Sequence, residues 1–109
     1  MKTDNDYTMV ITTFSDKESA KHAAVKLVQA KLAACVQIFP VESIYTWQDK
    51  IIEDNETVLL IKTKTGLFEQ ISTFINELHA YEVPEIIQIP ITDGLPEYLN
   101  WVDENVNTC

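Results

Sequence analysis

His79, Tyr81, Glu82 and Glu85 stand close together in the stretch HAYEVPEIIQIPI, at the edge of a nearly all-apolar run. An imidazole flanked by carboxylates suits Cu(II), Zn(II) or Ni(II), so His79 with Glu82 and Glu85 is a candidate metal site. Three residues spaced by three on a non-helical segment need not converge, however, and Pro84 forces an extended backbone just before Glu85. A histidine at a helix C-terminus can instead satisfy the last carbonyls and interact with the helix dipole. A third use is a pocket. Tyr45, Trp47 and Tyr81 offer the amphipathic walls that small-molecule sites require. Lys62, at the end of the apolar run VLLI, requires either a carboxylate partner or an anionic ligand.

Other chemistries find little support. With only two glycines the chain offers no glycine-rich phosphate loop, and it has neither a zinc-spaced Cys/His set nor a nucleophile–base motif. The expectation is a protein that is not an enzyme and has no obligatory cofactor. His22 falls off the apolar stripe of its helix and is expected to face solvent. Cys35 lies in the apolar LAACVQIF and is expected in the core as a thiol; Cys109 is the last residue.

The 109 residues suffice for one domain with a real core, spanning 1–109, with 1–6 and 104–109 expected to fray. Eight basic against seventeen acidic residues give a formal charge of −9, which repels a phosphate backbone and argues against a nucleic-acid partner. The same surface attracts cations, largely as a salt-screened atmosphere. No apolar run approaches the roughly 20 residues of a membrane helix, so no membrane partner is expected. The start, MKTDNDY, lacks the apolar region of a signal peptide, and a cytoplasmic location is expected.

The elements that must position these side chains follow from periodicity. YTMVITTF reads as a buried strand over about Tyr7–Thr13. Ser15 with Glu18 forms a capping box, and Ala20, Ala23, Ala24, Leu27 and Val28 make the apolar stripe of a helix ending near Lys31. Ala33–Trp47 is strand-like but broken at Pro40, and Lys50–Lys64 is a second long strand with a bulge expected at EDNE. WQDK turns between them without glycine, leaving Asp49 as the best candidate for a left-handed position. Leu67, Phe68, Ile71, Phe74, Ile75 and Leu78 share a face of a helix reaching about His79. EIIQIPI is a short strand, and Pro96 opens a last helix carrying Tyr98, Leu99, Trp101 and Val102. The order is β-α-β-β-α-β plus a C-terminal helix. That is an α+β, ferredoxin-like antiparallel sheet with helices on one face and a long protruding hairpin.

The hairpin carries a consequence of its own. Thirteen extended residues reach roughly 40 Å, more than a domain this small can cover. An uncovered ribbon bearing Ile44, Tyr45, Trp47, Ile51 and Ile52 must either aggregate or pair with another copy, so a homo-oligomer is expected.

KLAACVQIFPVESIYTWQDKI, VLLIKT, LHAYEVPEIIQIPI and YLNWV occur in an order that resembles the CutA divalent-cation tolerance family, over about residues 8 to 103. The resemblance implies a ferredoxin-like fold assembled as a homotrimer, with the hairpin packed against neighbouring subunits, and no established enzymatic activity. It implies divalent cations as partners, copper in some members, and anchoring of other proteins in eukaryotic ones. It also suggests kinship of shape with trimeric PII signalling proteins, which bind effectors between subunits. On that basis Tyr45, Trp47, Lys62, His79, Tyr81 and Glu85 group near a subunit boundary. In a copper-binding member the ligands are a first-strand cysteine and two adjacent histidines; here those positions hold Thr12, Leu78 and His79. The hairpin turn, often Glu-Gly-Lys in relatives, is here Gln48-Asp49-Lys50.

Overall fold

A run of alternating β-branched and apolar residues can bury both faces of a strand, and β1 (Tyr7–Phe14) does so, with Tyr7, Val10 and Phe14 buried among Thr8, Thr12 and Thr13. In the computed structural model, which describes residues 6–107, β1 is followed by α1 (Lys17–Gln29), β2 (Cys35–Trp47) and β3 (Lys50–Lys64). A 3₁₀ turn at Thr65–Leu67, α2 (Phe68–Leu78), β4 (Ile86–Pro90) and α3 (Pro96–Asn105) complete the order. The four strands form one antiparallel sheet in the order β2-β3-β1-β4. This is the expected α+β, ferredoxin-like arrangement with an added C-terminal helix.

The alternation of side chains divides the sheet into two unlike faces. On one face Val10, Leu59 and Ile61 meet Ala20, Ala23, Ala24 and Leu27 of α1 and Ile71 and Ile75 of α2 in a single core. Each large aliphatic side chain removed from water there contributes about 1.5–3 kcal/mol. The small residues of α1 let it lie close to the sheet; Val28, expected on this stripe, is exposed. The N-cap of α1 is Asp16 rather than Ser15, because its carboxylate accepts from the Ser19 backbone N–H at 2.7 Å. That bond, with a second from the Ser19 hydroxyl, holds the Asp16 carboxyl below the usual carboxylate range.

The C-terminus of α1 closes with a lysine where glycine is usual. Lys31 takes φ 58°, its N–H donates to the Val28 carbonyl and that of Leu32 to the Leu27 carbonyl. The chain end then returns to this point. The Asn107 N–H donates to the Lys31 carbonyl at 2.8 Å and its side-chain amide to Ala30 at 3.0 Å, while Val106 is buried. Of the tail expected to fray from 104, the described part holds the end of α3 and Asn107, which supplies donors to the carbonyls at the end of α1; 108–109, like 1–5, lie outside the described residues. Tyr7 anchors α3 as well, donating to Asp103 at 2.6 Å beside a Lys64–Asp103 ion pair at 2.7 Å.

Two expectations about the hairpin are corrected. The β2–β3 ladder runs one-to-one from Cys35↔Lys62 to Trp47↔Lys50, with no break at Pro40 and no bulge at 53–56. β2 is an edge strand, where a proline nitrogen can face the side that has no ladder partner. β1 stops at Phe14↔Thr57, so the rungs from Val41↔Glu56 to Trp47↔Lys50 project as a ribbon with no third strand among the described residues. Ile44 and Ile51 are 72% and 77% exposed on it, and the long axis of the molecule, 48 Å, is about twice the others. The turn places both Gln48 (φ 51°) and Asp49 (φ 65°) in the left-handed region, as a two-residue hairpin turn demands.

Because Asp49 pays the Cβ penalty of that region, Asp49→Gly is expected to stabilise the fold by about 0.5–1 kcal/mol, read from the denaturant midpoint. An unchanged or lowered midpoint would show that the aspartate side chain compensates its own backbone.

Candidate functional site

Among the described residues, the second face of the sheet carries no helix along most of its length. Register places Met9, Ile11, Phe39, Val58, Leu60 and Ile87 on it together, with Phe39 and Ile87 exposed. α3 covers only the end bearing Tyr7, Lys64 and Cys35. Cys35 is therefore not a core residue. It is half-buried on this face and hydrogen-bonded with Tyr98, whose phenol is raised by burial and by that contact. Trp101 is partly exposed beside Tyr98, with ring centroids 5.7 Å apart.

Where this face meets the base of the ribbon, the segment after α2 folds across it and encloses a pocket of about 550 Å³. Ser43, Tyr45, Trp47, Glu56 and Thr13 reach it because all five occupy the same phase of the ladder. Tyr81, Glu82 and Glu85 complete it from the crossing segment. The two tyrosines are fixed by carboxylates. Tyr45 donates to Asp54 at 2.7 Å and Tyr81 to Glu56 at 2.8 Å. Both phenols are held protonated, Tyr45 chiefly by its bond to Asp54 and Tyr81 chiefly by burial, then by Glu56.

Of the residues expected to share a site, Tyr45, Trp47, Tyr81, Glu82 and Glu85 come together. Lys62 does not join them within one chain. It lies six residues along β3 from Glu56, roughly 20 Å in an extended strand, and its ammonium donates to the Gln37 side-chain carbonyl. Its partner is thus a neutral amide rather than the carboxylate expected. Among the described residues lining the pocket, those charged at neutral pH are all carboxylates, which opposes an anionic effector there.

His79 supports the pocket from behind. Its Nε2–H donates to the Thr13 carbonyl, its Nδ1 accepts from the Tyr81 N–H at 3.4 Å, and its ring stacks on Phe14 at 4.4 Å and against Tyr81 at 4.5 Å. These contacts hold the imidazole against the backbones of β1 and of the segment after α2. Among the described residues no three His, Cys, Asp or Glu side chains gather as a metal group, so His79, Glu82 and Glu85 do not converge within one chain. The reading of His79 as a histidine satisfied by its own helix end is also corrected, because its acceptor is on β1. Thr12 is fully buried on the helix side with its hydroxyl unpartnered, and Leu78 is partly exposed; neither offers a soft ligand. Glu56, which orders Tyr81, had no signal in the sequence, since only the ladder register brings it to the pocket. No helix among the described residues is long and apolar enough to cross a membrane.

Comparison with known proteins adds to this geometry. Residues 8–105 match the family model described as CutA1 divalent ion tolerance protein. The divalent-cation tolerance protein CutA of Thermus thermophilus is 45% identical over 98 residues, covering 89% of this chain and 95% of its own. The chloroplastic Protein CutA of Arabidopsis thaliana is 44% identical over 95 residues, 86% of this chain, which spans about half (52%) of that relative's length. Among solved structures, CutA1 from Oryza sativa superposes with a TM-score of 0.93 at 36% identity, covering 95% of this chain and 96% of its own. The periplasmic divalent cation tolerance protein CutA from Archaeoglobus fulgidus gives 0.91 at 37% identity, covering 93% and 99%.

His79→Ala removes a ring stack and a hydrogen bond, and is expected to lower stability by about 1–3 kcal/mol in urea unfolding. His79→Gln, which keeps a donor, is expected to recover part of that. No change in either variant would contradict the structural role assigned to the imidazole.

Proposed function

The chain belongs to the CutA1 divalent ion tolerance family, and from that premise we propose that it is a non-enzymatic, homotrimeric, cytoplasmic protein that binds copper or another divalent cation. The observation that carries the cation reading is that the charged side chains lining the pocket, Glu56, Glu82 and Glu85, are all carboxylates. Carboxylate oxygens without a thiolate suit Cu(II), or a harder divalent ion, better than Cu(I). Glu56 also accepts from Tyr81, so in this reading Glu82 and Glu85 are the main ligands of one subunit and a neighbouring copy completes the set.

Self-assembly is supported by the two surfaces this chain leaves uncovered, the apolar open face of the sheet and the ribbon beyond β1. Both are of the kind that another copy buries. For His79, whose ring nitrogens contact the Thr13 and Tyr81 backbones, a structural role fits better than that of a general base, in keeping with a non-enzymatic protein. A cytoplasmic location suits the free thiol of Cys35.

Calorimetric titration with Cu(II), and with Zn(II) in parallel, tests the reading at about 150 mM salt, where the loose cation atmosphere of an acidic protein is largely screened. A saturable site with an integral ratio of ion to subunit is expected, weakened about tenfold or more when Glu82→Gln and Glu85→Gln are combined, consistent with the loss of two charged ligands. His79→Ala, where it remains folded, is expected to keep the site. Binding unchanged in the double glutamine variant would overturn the assignment.

A further inference from the structure

The pocket has a second property that a divalent ion does not use, its aromatic wall. Within one chain Trp47 and Tyr45 each keep about 40% of their surface exposed, and Tyr81 lines the same pocket. The faces of such rings are electron-rich and attract a cation placed over them. Here each tyrosine hydroxyl also donates to a carboxylate, Tyr45 to Asp54 and Tyr81 to Glu56. These bonds fix the ring orientations and push electron density from the phenol oxygen into the ring, which makes its faces more attractive to a positive charge.

We propose that this pocket binds a small quaternary or alkylated ammonium ion, held over Tyr45, Trp47 and Tyr81 and neutralised by Glu82 and Glu85. A volume of about 550 Å³ is far larger than a metal ion needs and falls within the range of small-molecule sites. Aromatic rings cannot supply the oxygen or nitrogen donors a divalent ion requires, but they replace the hydration of an alkylammonium at little cost. The charge on the lining selects sign. An anion or a neutral apolar molecule would leave the carboxylates uncompensated, and a phosphocholine group would bring its phosphate against them. The inference needs no divalent ion and stands or falls separately from the divalent-cation reading.

The test is choline binding by the full-length protein in metal-free buffer, read by calorimetry and by Trp47 fluorescence in a Trp101→Phe background. Saturable binding is expected, with the neutral tert-butyl analogue of choline and phosphocholine each weaker by about tenfold or more, as loss of the cation–π and charge terms predicts. Glu85→Gln is expected to weaken choline several-fold, and Trp47→Leu to weaken it about tenfold or more, close to the value of a desolvated cation–π contact. Glu85→Gln alters an exposed polar side chain, so it remains informative should Trp47→Leu fail to fold. Equal affinity for choline and its neutral analogue would reduce the pocket to an apolar cleft. Absence of saturation, or binding unaffected by both variants, would overturn the proposal.

Discussion

The molecule depends on one backbone constraint, the unbroken antiparallel ladder between β2 and β3. Over its first half the ladder is covered on one side by α1 and α2 and extended by β1 and β4, so its hydrogen bonds are sheltered and its apolar side chains buried. From Val41↔Glu56 outward it continues with neither. An isolated two-stranded hairpin is marginally stable in water. Yet this one holds Tyr45 and Trp47 in register above the sheet, and every property of the pocket follows from that register. Two rungs of slip would carry Tyr45 and Glu56 away from Tyr81.

The acidic character of the chain acquires a location through this ladder. A charge of −9 spread over a surface only gathers a diffuse atmosphere of cations. Carboxylates held against aromatic rings in a partly enclosed pocket act at shorter range and in a lower effective dielectric. His79 contributes by shape. Sandwiched between Phe14 and Tyr81 and bonded to the Thr13 carbonyl, it fixes the path of the segment that brings Glu82 and Glu85 to the pocket.

The elements were legible wherever a pattern repeats along the chain. The stripe Ala20, Ala23, Ala24 and Leu27 fixed the buried face of α1, and Asp49 stood out as the left-handed turn residue. Local signals failed where a partner far along the chain decides. Pro40 reads as a break unless β2 is known to be an edge strand. Cys35 reads as core because LAACV is apolar throughout, and only the sheet shows which phase faces α3. The acceptor of His79 lies 66 positions away, so proximity in sequence favoured Glu82 and Glu85 over Thr13. Lys62 and Tyr81 sit on the same side of the molecule, but strand length separates them, and alternation alone carries no distance.

The most direct test of the dependence on the ribbon is the mass of the assembly by light scattering, for the intact chain and for one whose hairpin turns at Pro40 and Thr57. Three times the chain mass is expected for the intact protein, falling to that of a single chain, with exposed apolar surface, once the ribbon is shortened. A single-chain mass for the intact protein, or an undiminished trimer without the ribbon, would contradict it.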